Sequence, residues 1–194
     1  MKRWSTLEGS IYIDKQAVPE EHFLKNFFEN KAFIPKTEKE KQEYEDFSFI
    51  SSAMALLVYV AKADGRIEKV EKEMILKELQ FQLEQRHYEY KVLSEKFGPD
   101  EVEILNHLFD NFQEELKNNS LNLAEIIRII DMIYEKNPYK RFFLIRLCYY
   151  IAYADRKFTK QEFEAIQELS KEMVIDKNEC NRIEQEVKID LKID

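Results

Sequence analysis

One phrase is written twice in this chain, and it constrains the fold more than any other feature. Ala61-Lys62-Ala63-Asp64-Gly65-Arg66-Ile67 leads on to Glu71, Glu73 and Ile75. Ninety-one residues later Ala152-Tyr153-Ala154-Asp155-Arg156-Lys157-Phe158 leads on to Glu162, Glu164 and Ile166. Leu56 and Tyr59 find counterparts in Leu147 and Tyr150, and Lys69 in Lys160. Each copy has an apolar run, a small-x-small-Asp step, a short polar break and an amphipathic run that opens with acids. A supersecondary unit repeated in this way points to a duplicated helical hairpin, with an acidic corner in each copy.

Only three Gly and four Pro punctuate 194 residues that are rich in Glu, Lys, Leu and Ile, so the chain reads as all-α. The periodicity predicts a compact bundle of about seven to nine helices built from two pseudo-symmetric hairpin repeats. Residues 1–44 form an N-terminal arm and accessory helix, and residues 45–194 the main domain. Ile11-Tyr12-Ile13 suits a short extended arm, with Trp4 as a plug. A first helix opens at Pro19 and stops before Pro35.

The next helix starts near Thr37 and is apolar almost all round from Phe47 to Ala63, as a surrounded helix is; Phe142–Ala154 reads the same way. These two make the expected core pair. The helices after each break carry single stripes: Val70, Met74, Ile75, Leu79 and Leu83 in one, Phe163, Ile166, Leu169 and Met173 in the other. Between the repeats lie a run through Tyr88 and Leu93, a helix over Glu101 to Leu116 with Val102, Leu105, Leu108, Phe109 and Phe112 inward, and another over Leu123 to Tyr134. Asp176-Lys177-Asn178-Glu179 is a capping box for a last helix through Ile183 and Val187.

Asp64 and Asp155 end their helices, where the macrodipole disfavours a carboxylate, so each calls for a partner. The amino end of the following helix is the nearest source of free N–H groups. Gly65 suits the left-handed residue that stops a helix, whereas Arg156 stands there in the second copy. Thr159-Lys160-Gln161-Glu162 is a capping box, and Glu71 holds the same place behind Glu68. Two readings follow. In one, these acids only cap helices and set the corner angle. In the other, Asp64, Glu71, Asp155 and Glu162 converge on a hard divalent cation of unspecified identity. The intact Asp64-Gly65 corner would make such a site lean on the first copy. A calcium EF-hand fails, because its early ligand positions hold Val60 and Lys62, or Ile151 and Tyr153.

The twice-written phrase, with its order and spacing, resembles the TerB-like domain of tellurite-resistance proteins and the N-terminal part of DjlA-type DnaJ-like proteins. The likeness spans about residues 45–190 and includes Leu169 to Ile175 before Asp176. It implies a compact helical bundle of duplicated halves, with divalent metal at Asp64, Glu71, Asp155 and Glu162. It also implies work in a stress-response system with protein partners, some membrane-associated. Arg156, in place of the expected Gly, brings a guanidinium to that site. No His-Pro-Asp tripeptide occurs, so J-domain cochaperone activity is excluded.

The sequence points to no enzyme. His22, His87 and His107 fall on separate predicted helices without ligand or triad spacing, and neither a Gly-rich phosphate loop nor a nucleophile elbow occurs. A net charge of −8 argues against nucleic acid. The apolar runs at Ala53–Ala61 and Phe142–Ala154 are too short to span a bilayer, and no secretory signal is visible, so the expectation is a soluble cytoplasmic protein. Cys148 reads as a small buried hydrophobe. The aromatic group Phe142, Phe143, Tyr149, Tyr150 and Tyr153 reads mainly as core, with Tyr149 and Tyr153 the candidates to surface at a partner groove.

Overall fold

The computed structural model describes residues 4–7, 10–13, 38–84, 101–119 and 138–193, with isolated positions at 124, 126, 127 and 130. Two short strands, β1 (Trp4–Leu7) and β2 (Ser10–Ile13), pair antiparallel with Trp4 opposite Ile13 and Leu7 opposite Ser10. Every other described element is a helix: α1 (Glu38–Ala61), α2 (Lys69–Glu84), α3 (Glu101–Lys117), α4 (Pro138–Ala152), α5 (Lys160–Glu172) and α6 (Lys177–Leu191). The extended arm expected at Ile11–Ile13 is thus one strand of a hairpin. The described residues hold six helices. The helix expected after Pro19, the run around Tyr88 to Leu93 and most of the helix over Leu123 to Tyr134 lie outside them, as does the environment of Trp4.

The chain divides into two compact units, one of residues 1–54 and 76–122, the other of 55–75 and 123–194. In the first unit, Phe49, Ile50, Ala53 and Met54 of α1 are buried, and so are Leu79 of α2 and Leu105, Leu108, Phe109 and Phe112 of α3. Val102 was expected inward but is exposed, since it sits in the first turn of α3 ahead of the buried stripe. Two α1 hydroxyls, those of Ser51 and Ser52, are buried without a hydrogen-bond partner.

The second unit contains both copies of the repeated phrase. Here α4 packs against α5 and α6. Its all-round apolar pattern is explained by burial: Leu144, Ile145, Leu147, Cys148, Tyr149, Ile151 and Ala152 are all inside. Burial pushes the Cys148 thiol up to about 12, so it acts as the inert hydrophobe expected. Tyr149 and Tyr153 are buried as well, which removes them as surface groups. The Tyr153 hydroxyl donates to Glu184 at 2.7 Å, and its ring lies 4.5 Å from that of Phe158. One guanidinium ties α4 to α6: Arg146 bonds Glu186 at 2.6 Å and Asp190 at 2.7 Å, and the Tyr150 hydroxyl also donates to Asp190.

In the covering helices the stripes are narrower than the sequence suggests. Ile75 and Leu79 of α2, and Ile166 and Leu169 of α5, are buried together with Met173, but Val70 is 46% and Phe163 40% exposed. Both lie in the first turn, beside a glutamate that takes the inward position (Glu71 or Glu162). Asp176 caps α6 as expected by accepting from Asn178 N–H at 2.7 Å. The reciprocal arm of the box is not used, because Glu179 pairs with Arg182.

The end of α5 carries a strained residue. Val174 N–H donates to the Lys171 carbonyl at 3.0 Å and Ile175 N–H to that of Ser170 at 2.8 Å, the paired closure of a Schellman turn. That turn needs a left-handed residue, and Val174 supplies it at φ 56° although it is β-branched. Left-handed geometry costs an L-residue about 1–2 kcal/mol, and the Val174 side chain, 86% exposed, gains little packing in return. Val174→Gly is therefore expected to raise stability by about 0.5–1 kcal/mol after the glycine's greater unfolded entropy is counted, which urea denaturation would read directly. An unchanged or lowered midpoint would contradict this account of the turn.

Candidate functional site

The two corners match bond for bond at an offset of ninety-one residues. Lys62 N–H reaches Val58 O at 3.0 Å, and Tyr153 N–H reaches Tyr149 O at 3.0 Å. Gly65 N–H closes on Lys62 O at 2.9 Å, and Arg156 N–H on Tyr153 O at 3.1 Å. Both closing residues are left-handed, Gly65 at φ 102° and Arg156 at φ 63°. Arg156 therefore keeps the turn's shape and bears the strain that Gly65 avoids. It is also exposed, so its guanidinium stands in solvent. Arg156→Gly is expected to stabilise the protein by about 0.5–1 kcal/mol, on the same grounds as at Val174. Thermal denaturation of the variant checks this; a fall in midpoint would mean that the arginine side chain holds the corner.

The aspartates do not reach the next helix. Asp64 Oδ1 accepts from Arg66 N–H at 3.1 Å, and Asp155 Oδ1 from Lys157 N–H at 2.7 Å. Each satisfies a backbone donor two residues on, within its own turn, and this local bond is the partner their helix-end positions called for. Asp64 is exposed, and Asp155 half-buried.

The glutamates cap the helices. Glu71 Oε2 accepts from Glu68 N–H at 2.6 Å. Glu162 Oε2 accepts from Thr159 N–H at 2.7 Å and from the Thr159 hydroxyl at 2.7 Å, while the Glu162 N–H donates back to Thr159 Oγ1 at 3.2 Å. The second copy is thus a complete capping box. The first keeps only the glutamate arm, because Glu68 has no hydroxyl and pairs instead with Arg66 at 2.7 Å.

The same two glutamates also meet. Glu71 is 4% and Glu162 3% exposed, and their carboxyl groups lie close enough for Glu162 to act on Glu71. Burial, the bond to Glu162 and the charges of Glu162 and Asp155 together push the Glu71 carboxyl up to about 8, against the opposing pull of the Glu68 N–H. A buried carboxyl beside a second acid ionises reluctantly, so near neutral pH Glu71 holds its proton. Of the four acids singled out in the sequence, the structure brings together Glu71, Glu162 and, at electrostatic range, Asp155. Asp155, the aspartate of the second copy, adds its charge to the surroundings of Glu71. Among the described residues no three His, Cys, Asp or Glu side chains gather as a metal-holding group.

Comparison with known proteins fits this geometry. The family model described as "Tellurite resistance protein TerB" matches residues 51–185, more than half of the chain and both corners. The chain belongs to the TerB family. No curated protein and no solved structure gives a match. The TerB match begins inside α1 and ends inside α6, so it takes in the whole carboxyl pair with both of its caps.

Around the pair, sequence reasoning missed the bond from the Tyr59 hydroxyl to Glu168 at 3.1 Å, which joins the end of α1 to α5. Burial and the Glu168 charge push Tyr59 up to about 12. Tyr59 was visible as half of the repeated Tyr59/Tyr150 position, and both tyrosines donate to an acid. Of the histidines, His107 lies half-buried on α3, while His22 and His87 fall outside the described residues.

The raised Glu71 carboxyl has a defined consequence for stability. A folded-state value above the unfolded one means that the folded protein retains a proton which the unfolded chain releases. The contribution is complete below the ordinary glutamate range and is lost as pH rises through about 8. Glu71→Gln keeps a donor toward Glu162 and an acceptor for Glu68 N–H but cannot titrate. In urea denaturation at pH 5, 7 and 9, wild-type stability should fall relative to the variant as pH rises. Parallel profiles would show that Glu71 is not held protonated in the folded protein.

Proposed function

We propose that this TerB domain is a non-enzymatic binding module in which the Glu71–Glu162 pair takes up a hard divalent cation. The meeting of two buried carboxyl groups at the start of two helices carries this reading. All-oxygen donors suit magnesium, calcium or manganese rather than a thiophilic metal. Glu71 and Glu162 would hold the ion, Asp155 would add negative potential, and water would fill the other positions, as is usual where few carboxylates bind magnesium. Asp64 would contribute through the field of its corner. A bound cation supplies positive charge that offsets the repulsion between the two carboxylates.

The wider role follows from family membership and from the corners together. We infer that the domain, taken as residues 45–194 with residues 1–44 as an accessory arm, is an interaction module of a tellurite-resistance-type stress response. It would act in the cytoplasm on protein partners, including membrane-associated ones. No described helix is long and apolar enough to cross a membrane. The matched bonds of the two corners support descent from a duplicated hairpin.

A second reading has its own observation. The complete capping box at Thr159 and Glu162 is what a purely structural role would require, and in that case the acids do no more than fix the corners. Isothermal titration of metal-free protein with magnesium, calcium, manganese and zinc separates the two. On the metal reading, binding near pH 7 releases protons, visible as a dependence of the observed heat on buffer ionisation enthalpy. Affinity then climbs as pH approaches about 8, where Glu71 gives up its proton. Glu71→Gln/Glu162→Gln should abolish binding, and Asp155→Asn should weaken it severalfold. No heat at millimolar metal, or equal binding by the double variant, would leave the capping role alone.

A further inference from the structure

We draw no further inference here: the strongest candidate, the exposed apolar edge made by Tyr139 at the start of α4 (78% exposed) and the left-handed Val174 behind α5, two segments joined by the Arg141–Met173 hydrogen bond, carries nothing because nothing in the structure shows what covers it.

Discussion

The contact between Glu71 and Glu162 is the constraint on which the repeated half of this structure turns. Each glutamate uses one oxygen to satisfy an N–H at the start of its own helix. Those N–H groups belong to the few that no helical carbonyl can reach, and a carboxylate at the third helical position is well placed to serve them. Carboxylates in that role normally face water. Here both are turned inward, and the two buried carboxyl groups lie close enough for Glu162 to act on Glu71. The cost of burying two acids is reduced by the caps and by the proton that Glu71 keeps, so the junction depends on its protonation state in a way that an apolar junction would not.

The inward turn of these glutamates explains the displaced apolar positions. A first-turn residue can be buried only if its neighbours on the helix rotate outward, since successive side chains lie about 100° apart. With Glu71 inside, Val70 faces solvent; with Glu162 inside, Phe163 does. The hydrophobic stripe of each covering helix therefore begins later than hydrophobicity alone suggests, at Ile75 and at Ala165.

Much of this was legible in the sequence, and for identifiable reasons. The two apolar helices, the short breaks and the amphipathic helices that follow rest on strong periodicity and scarce Gly and Pro, and all are present. The capping place of Glu162 was readable because Thr159 stands three residues before it. The cross-contact was not readable, because it depends on how two segments ninety-one residues apart pack, and both readings of the acids required the same residues. The charge that Asp155 adds near Glu71 was not readable for a similar reason. Gly65 made the first corner look complete, yet the shape of the turn survives at Arg156, and exposure, not turn chemistry, distinguishes the two aspartates. At Tyr149 and Tyr153 the polar tips suggested a surface. Tyr153 satisfies its hydroxyl on Glu184 and Tyr149 its own on Gln167, so both tyrosines can remain buried.

Capping and cation binding were set out as alternatives, but the geometry makes the first a condition for the second. A carboxylate held by one backbone N–H and, at Glu162, by a hydroxyl as well has lost most of its rotamer freedom before any ligand arrives. Each glutamate accepts these cap bonds on Oε2 alone, so the caps leave its second oxygen free of backbone donors. Orientation fixed by caps, charge crowded by burial and a proton that can be displaced are together what a weakly built oxygen site requires. A structural role needs only the first of these. The second and third make the junction sensitive to pH, which an amide at Glu71 would not. The acid at Glu71, with Asp155 adding to its charge, is the feature on which the proposed cation site rests.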